Sequence, residues 1–236
     1  FIPQILKMEK DLLVRSIQFL EEFATEKRKN LINENVDNRT RYITVALENI
    51  FQPQNASAVI RSCDCFGIQD LHVIENSNEY TINPDVVMGA SKWVDLYRYN
   101  KNKDNTLDTI KSLKEKGYRI VATTPHTKDV LLPDFDLSKG KSVFFFGTEL
   151  TGLSDVVMDH ADEFVKIPMY GFTESFNISV SAALVLNHLA TEVRRTKVNW
   201  QLSEQEKLEL KLDWLKKSVR RGGKLLEEQF RRWGID

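Results

Sequence analysis

The chain has 236 residues, 42% of them hydrophobic, and its 33 lysines and arginines nearly cancel 34 aspartates and glutamates to leave a formal net charge of −1. That length can bury a substantial core in one domain with extensions, and the charge balance excludes a global field for nucleic acid, so any such binding must come from local basic patches. No apolar run approaches the roughly 18 residues of a membrane span, no signal-peptide pattern stands at the N-terminus, and two cysteines, Cys63 and Cys65, are too few for a structural zinc site; a cytoplasmic, reducing location with no membrane and no metal is expected.

Over residues 5–30 apolar side chains recur at helical spacing (Leu12, Leu13, Ile17, Leu20, Phe23), which predicts one amphipathic helix ahead of the sheet. Strand-like and helix-like segments then alternate: a strand over 42–47, a helix over 55–66 stopped by Gly67, a strand over 71–74. Asn83 and Pro84 are a cap and first-turn pair for a short helix, and 93–99 reads as a further strand. A helix over 104–116 ends at Gly117, and strands follow over 118–123 and 142–146, the second apolar enough to be buried on both faces. A short helix from Ser154, a strand over 164–167 and a helix from Asn177 complete the alternation. The fold class is therefore α/β with a largely parallel sheet. After Trp200, Ser203 and Glu206 form a capping box for a final helix, with Leu208, Leu212, Leu215 and Val219 on one face and Gly222 and Gly223 as its stop.

The most informative stretch is 167–186, IPMYGFTESFNISVSAALVL. A strand end at 167–169 runs into a polar loop over 170–176, a candidate pocket because such loops offer backbone amides and carbonyls to a ligand. Asn177 can cap the helix that follows, and Ser179, Ser181, Ala182 and Ala183 keep its first turns thin enough for a backbone or a flat ring to approach. Taken alone, the same pattern also describes an ordinary capped helix on a sheet. A second constellation is Asn55 and Arg61, six residues apart on the helix after the first strand. An arginine among small and apolar neighbours must find an anion, either a protein carboxylate or a phosphate. In FFFGTELTGLS, residues 144–154, a buried strand breaks at Gly147 and a second glycine, Gly152, precedes a helix, with Glu149 between them. The strand end VATTP, residues 121–125, brings two threonines to the same sheet edge.

No G-x-G-x-x-G follows a strand and there is no P-loop, H-E-x-x-H or nucleophile elbow, which removes most support for nicotinamide, metal and conventional hydrolase chemistry. His72, His126, His160 and His188 are scattered, as surface or structural histidines are. Basic residues cluster at Lys27 to Lys29 and in KKSVRRGGK, residues 216–224, where they could grip a phosphate backbone or form a solvated helix face.

Three segments taken together, 55–61 (NASAVIR), 146–154 (FGTELTGLS) and 167–183 (IPMYGFTESFNISVSAA), resemble in order and spacing the three motifs of the SpoU branch of the SPOUT methyltransferases. The resemblance spans 41–189 and points, within that branch, to the tRNA guanosine 2'-O-methyltransferases acting on the D-loop. It implies a C-terminal trefoil knot in the sheet, a homodimer and S-adenosylmethionine bound in the knot, none of which composition or periodicity predicts. It also implies a methyltransferase domain over 41–198 between helical extensions at 1–40 and 199–236. Carried over by motif, Thr123, Gly147, Ile167, Met169, Ser175 and Phe176 line the cofactor pocket, and Asn55, Arg61, Glu149, Ser175 and Asn177 form or support the reaction centre. The reaction implied is methyl transfer to a ribose 2'-hydroxyl of tRNA, at guanosine 18. Arg61 matches the family's proposed activator, although a guanidinium hardly deprotonates and suits positioning of a phosphate or hydroxyl better than base catalysis. Family members often carry tRNA-gripping arginines on the helix after the third motif; the nearest here are Arg194 and Arg195. An rRNA 2'-O-methyltransferase and a non-catalytic RNA-binding dimer of the same fold are the alternatives.

Overall fold

The computed structural model describes residues 9–81, 83–125, 129–148 and 150–235. Glu149, His126 and the first residues of the helix expected from residue 5 lie outside the described residues. In chain order the elements are α1 (Lys10–Glu21), α2 (Glu26–Asp37), β1 (Ile43–Glu48), α3 (Pro53–Phe66), β2 (Asp70–Ile74), α4 (Pro84–Val87), β3 (Asp95–Tyr99), α5 (Thr106–Glu115), β4 (Arg119–Thr123), β5 (Val130–Leu131), β6 (Ser142–Phe146), α6 (Asp155–His160), β7 (Glu163–Lys166), α7 (Ile178–Arg195), α8 (Glu204–Ser218) and α9 (Gly222–Arg232). They divide into two compact units, Thr40–Trp200 and the two terminal stretches Phe1–Arg39 with Gln201–Asp236.

The larger unit is a seven-stranded sheet in the order β3-β2-β1-β6-β4-β7-β5 with every pairing parallel. Its central strands alternate between two cores, as the two-residue period of a strand requires. Val45, Leu47, Phe144 and Phe146 join the cluster that includes Val59 of α3 and Val185 of α7. Ala46, Val143 and Phe145 join the one that includes Ile110 of α5 and Val157 of α6. The run SVFFF of β6 is thus buried on both faces, each fully buried Phe contributing roughly 1.5–3 kcal/mol. Helix α3 ends as expected at Gly67, whose φ of 74° is left-handed, and Gly117 (φ 81°) stands just past the end of α5. Asn83 caps α4 by accepting from the Asp85 amide. Strand β7 stops at Lys166 rather than continuing through residue 167 toward Met169, because Pro168 has no amide to donate to a ladder.

Within β2, His72 is 2% exposed, with its ring 5.0 Å from that of Tyr97 and its Nδ1 3.0 Å from the Tyr99 hydroxyl. Its Nε2 has no hydrogen-bond partner among the described residues. Burial first, and the nearby Lys116 charge second, push its pKa down to about 3, so the ring is neutral. At the end of β2, burial opposes ionisation of Glu75, but the paired hydrogen bonds from Arg98 (2.7 and 2.8 Å) and the Tyr80 amide outweigh it and hold the carboxyl below its ordinary value.

The terminal unit differs from expectation at two points. The continuous periodicity over 5–30 is two helices: α1 ends at Glu21, and Thr25 caps α2 by accepting from the Arg28 amide. At the other end the capping box is present, with Ser203 and Glu206 bonding reciprocally, but Gly222 and Gly223 do not stop the last helix. Helix α8 ends at Ser218, and the glycines open α9. A Cβ on Gly222 would lie 2.7 Å from the Lys216 carbonyl oxygen, so that glycine serves close approach of the chain. In the two basic clusters, Lys29 pairs with Glu26 at 2.7 Å and Lys217 pairs with Asp213. No helix among the described residues is long and apolar enough to cross a membrane.

Candidate active site

In a parallel sheet the loops that follow β1, β4, β6 and β7 all leave from the same edge. Three of them, with the start of α7, enclose a cavity of about 600 Å³, within the range of small-molecule sites. Thr123, Gly147, Ile167, Met169, Ser175 and Phe176 all line it, as do Asn177 and Ser181. Its walls are apolar where Phe146, Val165, Ile167, Met169 and Val185 meet, and Glu174 is the one ionisable residue among its described lining. The hydroxyls at the VATTP strand end are engaged by protein: Thr123 donates to the Phe145 carbonyl at 2.6 Å, and Thr124 bonds to Asp129.

The turn after β6 explains both glycines. Thr148 and Gly152 exchange two backbone hydrogen bonds (2.9 and 3.1 Å), and Gly152 takes φ 69°. A Cβ on Gly147 would lie 2.1 Å from the Gly152 carbonyl carbon and oxygen, so the turn closes only over a bare α-carbon. Beneath the turn, Glu48 at the end of β1 accepts from the Ser154 amide (2.9 Å), the Ser154 hydroxyl (2.7 Å) and the Thr106 hydroxyl (2.7 Å) while only 2% exposed. Ser154 in turn caps α6 by accepting from Val157. A buried carboxylate thus anchors the loop that forms one cavity wall.

Asn177 caps α7 through Oδ1, which accepts from the Ser179 amide at 2.9 Å, while its Nδ2 donates to Asn55 Oδ1 at 3.2 Å. Asn55 sits in the first turn of α3, behind Gln52 and Pro53, and its Nδ2 donates to Gln52 Oε1 at 3.2 Å. Asn55 and Gln52 line a second cavity of about 390 Å³ that shares Thr148, Leu150, Thr151 and Ile178 with the first. The expected residues Asn55, Ser175 and Asn177 therefore converge on two adjoining cavities.

Arg61 does not join them. It is exposed on α3, lines neither cavity, and forms no ion pair with any carboxylate of the described residues, so the protein-carboxylate reading of this arginine is not met there. Glu149 lies outside the described residues. At the end of α7, Arg194 packs its guanidinium 4.9 Å from the Trp200 ring and donates to the Ala190 carbonyl, and Arg195 pairs with Glu192. No group of three or more His, Cys, Asp or Glu among the described residues could hold a metal ion.

Sequence reasoning missed Glu48 and the second cavity. Glu48 carried a signal, since it ends an otherwise apolar strand (ITVALE) at the edge where ligands bind. The cavity carried none, because Asn49, Phe51 and Asn78 look like ordinary loop residues until the β1–α3 and β2–α4 loops meet.

A SpoU rRNA Methylase family model matches residues 42–187. A tRNA (guanosine(18)-2'-O)-methyltransferase of Borreliella burgdorferi is 45% identical over 90% of this chain and 95% of its own length. One of Thermus thermophilus with the same name is 31% identical over 82% of this chain and 98% of its own. The crystal structure of an Aquifex aeolicus TrmH/SpoU tRNA modifying enzyme superposes with a TM-score of 0.72 at 28% identity, covering 83% of this chain and 98% of that one. With the sheet order, the shared cavity wall and these similarities in agreement, the chain belongs to the SpoU methylase family.

Proposed function

We propose that this chain transfers the methyl group of S-adenosylmethionine to the ribose 2'-hydroxyl of guanosine 18 in tRNA. The observation that carries the reading is 45% identity over 90% of the chain to an enzyme named for that reaction. The residues present fit the methyl donor: a backbone turn closed over Gly147, apolar walls from Ile167 and Met169 for a flat ring, and polar groups of Ser175, Phe176 and Asn177 at the opening. Bound there, S-adenosylmethionine supplies an electrophilic methyl group.

The chain's own residues align the acceptor. Asn55 and Asn177, joined by their amides, fix where the two cavities meet, and Ser175 offers a hydroxyl beside them. Such positioning raises the effective concentration of the 2'-oxygen at the methyl carbon. Glu149 completes the reaction centre by motif. Arg61 orients a phosphate or the hydroxyl itself through its guanidinium.

The chain is threaded through a trefoil knot in its C-terminal part, its methyltransferase domain spans 41–198 between helical extensions at 1–40 and 199–236, and it works as a cytoplasmic homodimer. Exposed Val180 and Leu184, one turn apart on α7, support self-association, as do Tyr170 and Phe172 in the loop before it. In a dimer, the exposed Arg61 of one copy is available to the cavity of the other.

Methyl transfer from labelled donor to an unmodified tRNA transcript, with the product mapped by nucleotide, tests the reading. Label at guanosine 18, lost on replacing that guanosine, is the expected result; label on rRNA alone overturns it. Arg61→Ala should lower kcat on the order of 100-fold with donor affinity unchanged.

A further inference from the structure

The second cavity has a composition that neither cofactor binding nor phosphate binding explains. Its described lining is Asn49, Ile50, Phe51, Gln52, Asn55 and Asn78, with the shared wall residues, and none of these is ionisable. A phosphate site would present arginine, lysine or free helix amides. Here four apolar side chains, Ile50, Phe51, Leu150 and Ile178, and four side-chain amides line about 390 Å³. Amides carry a donor and an acceptor each and match the edge of a neutral heterocycle, while an aromatic ring matches its face.

Phe51 is 76% exposed and Leu150, on the opposite loop of the same cavity, is 97% exposed, so an apolar pair rather than a single ring faces solvent there. The Phe51 loop is nonetheless firmly held. The preceding Asn49 takes a left-handed φ of 57°, its Oδ1 accepts from the Ser77 and Asn78 amides (3.0 and 2.9 Å), and Asn78 Nδ2 donates back to the Asn49 carbonyl at 2.8 Å. The hydrogen bonds run in one direction from the first cavity to the second, Asn177 to Asn55 to Gln52, and consume the Gln52 oxygen. The Gln52 Nε2 group has no partner among the described residues and is left to donate. A slot whose described lining carries no ionisable side chain, with an aromatic wall and a spare amide donor, thus adjoins the methyl-donor cavity.

We infer that this slot takes the nucleobase of the nucleotide being methylated, unstacked from the RNA, with Phe51 against its face and Gln52 Nε2 donating to an acceptor on its edge. The assignment rests on the proposed tRNA methylation and deepens it: Phe51 becomes the residue that stacks on the base, and Gln52 the specificity-determining residue for a purine bearing a ring carbonyl. Stacking of one base on an aromatic side chain is strong enough to be read directly in kinetics.

The test compares the full-length protein with Phe51→Ala, Phe51→Trp and Gln52→Ala on an unmodified tRNA transcript, and repeats it with 2-aminopurine, which lacks the carbonyl, at the target position. Phe51→Ala should raise the KM for tRNA about tenfold with the affinity for S-adenosylmethionine unchanged, and Phe51→Trp should restore it. The wild type should favour guanine over 2-aminopurine, and Gln52→Ala should erase that preference. An active wild type with Phe51→Ala indistinguishable from it overturns this assignment alone. Loss of donor binding in Phe51→Ala overturns it too, by marking the residue as structural. A wild type that methylates no tRNA removes the proposed function and this inference with it.

Discussion

Asn177 Nδ2 lies 3.2 Å from Asn55 Oδ1, joining the cap of α7 to the first turn of α3 across 122 positions of sequence. The same Asn177 holds the start of α7 through the Ser179 amide. One side chain therefore sets both the entry of a helix and the junction of two cavities. The two tasks use different atoms, so they can be separated.

Asn177→Asp keeps the capping oxygen but loses the donor to Asn55. Its melting temperature should stay close to wild type, while kcat falls by about 10- to 100-fold because the acceptor is no longer aligned. Asn177→Ala should lose the same activity and, in addition, about 1 kcal/mol of stability from the missing cap. Thermal melts beside steady-state kinetics decide it; equal activity in the aspartate variant and wild type would refute the tether.

Gly147→Ala places a Cβ where the Gly152 carbonyl already stands, 2.1 Å away, and both partners are backbone. The turn must open, at a cost of about 1–3 kcal/mol. Because that turn is a wall of the 600 Å³ cavity, calorimetric titration with S-adenosylhomocysteine should show affinity falling by tenfold or more. Unchanged affinity would mean that the wall does not touch the donor.

His72 predicts an acid-side loss of stability. Its folded pKa of about 3 lies below its unfolded value near 6.5, so the unfolded chain binds the extra proton between them. The contribution is fully present above pH 6.5 and is lost as pH falls toward 3. Glu75, held below its ordinary value, acts in the same sense at lower pH. Asp70 acts oppositely, since burial lifts it to about 6 against the pull of Arg41, so comparison with a variant isolates the histidine. His72→Gln retains an amide able to bond Tyr99 and does not titrate. Denaturant midpoints between pH 7 and 4.5 should fall less steeply for it than for wild type; parallel slopes would rule out the buried neutral ring as the cause.

Local chemistry was legible wherever one residue acts on its near neighbours. Gly67 ending α3, Asn83 capping α4, Ser154 capping α6, Asn177 capping α7 and the Ser203–Glu206 box all follow from side chains that satisfy amides within a turn. The all-apolar run of β6 likewise required a strand buried on both faces. The failures were local as well: a cap at Thr25 inside a continuous periodicity, and a glycine pair that opened a helix instead of closing one.

Sequence by itself determined the α/β alternation, the three motif segments and the residues that line the first cavity, because periodicity, capping and motif order are written along the chain. Only the tertiary structure decided that Glu48 anchors the Gly147 turn, that Asn55 reaches Asn177, that Phe51 stands beside a second cavity and that Arg61 stands apart from both. Those relations depend on a parallel sheet that inserts β6 between β1 and β4, gathering at one edge loops that lie far apart in the chain. No local preference encodes such a meeting, since its energy comes from burying both faces of the sheet at once.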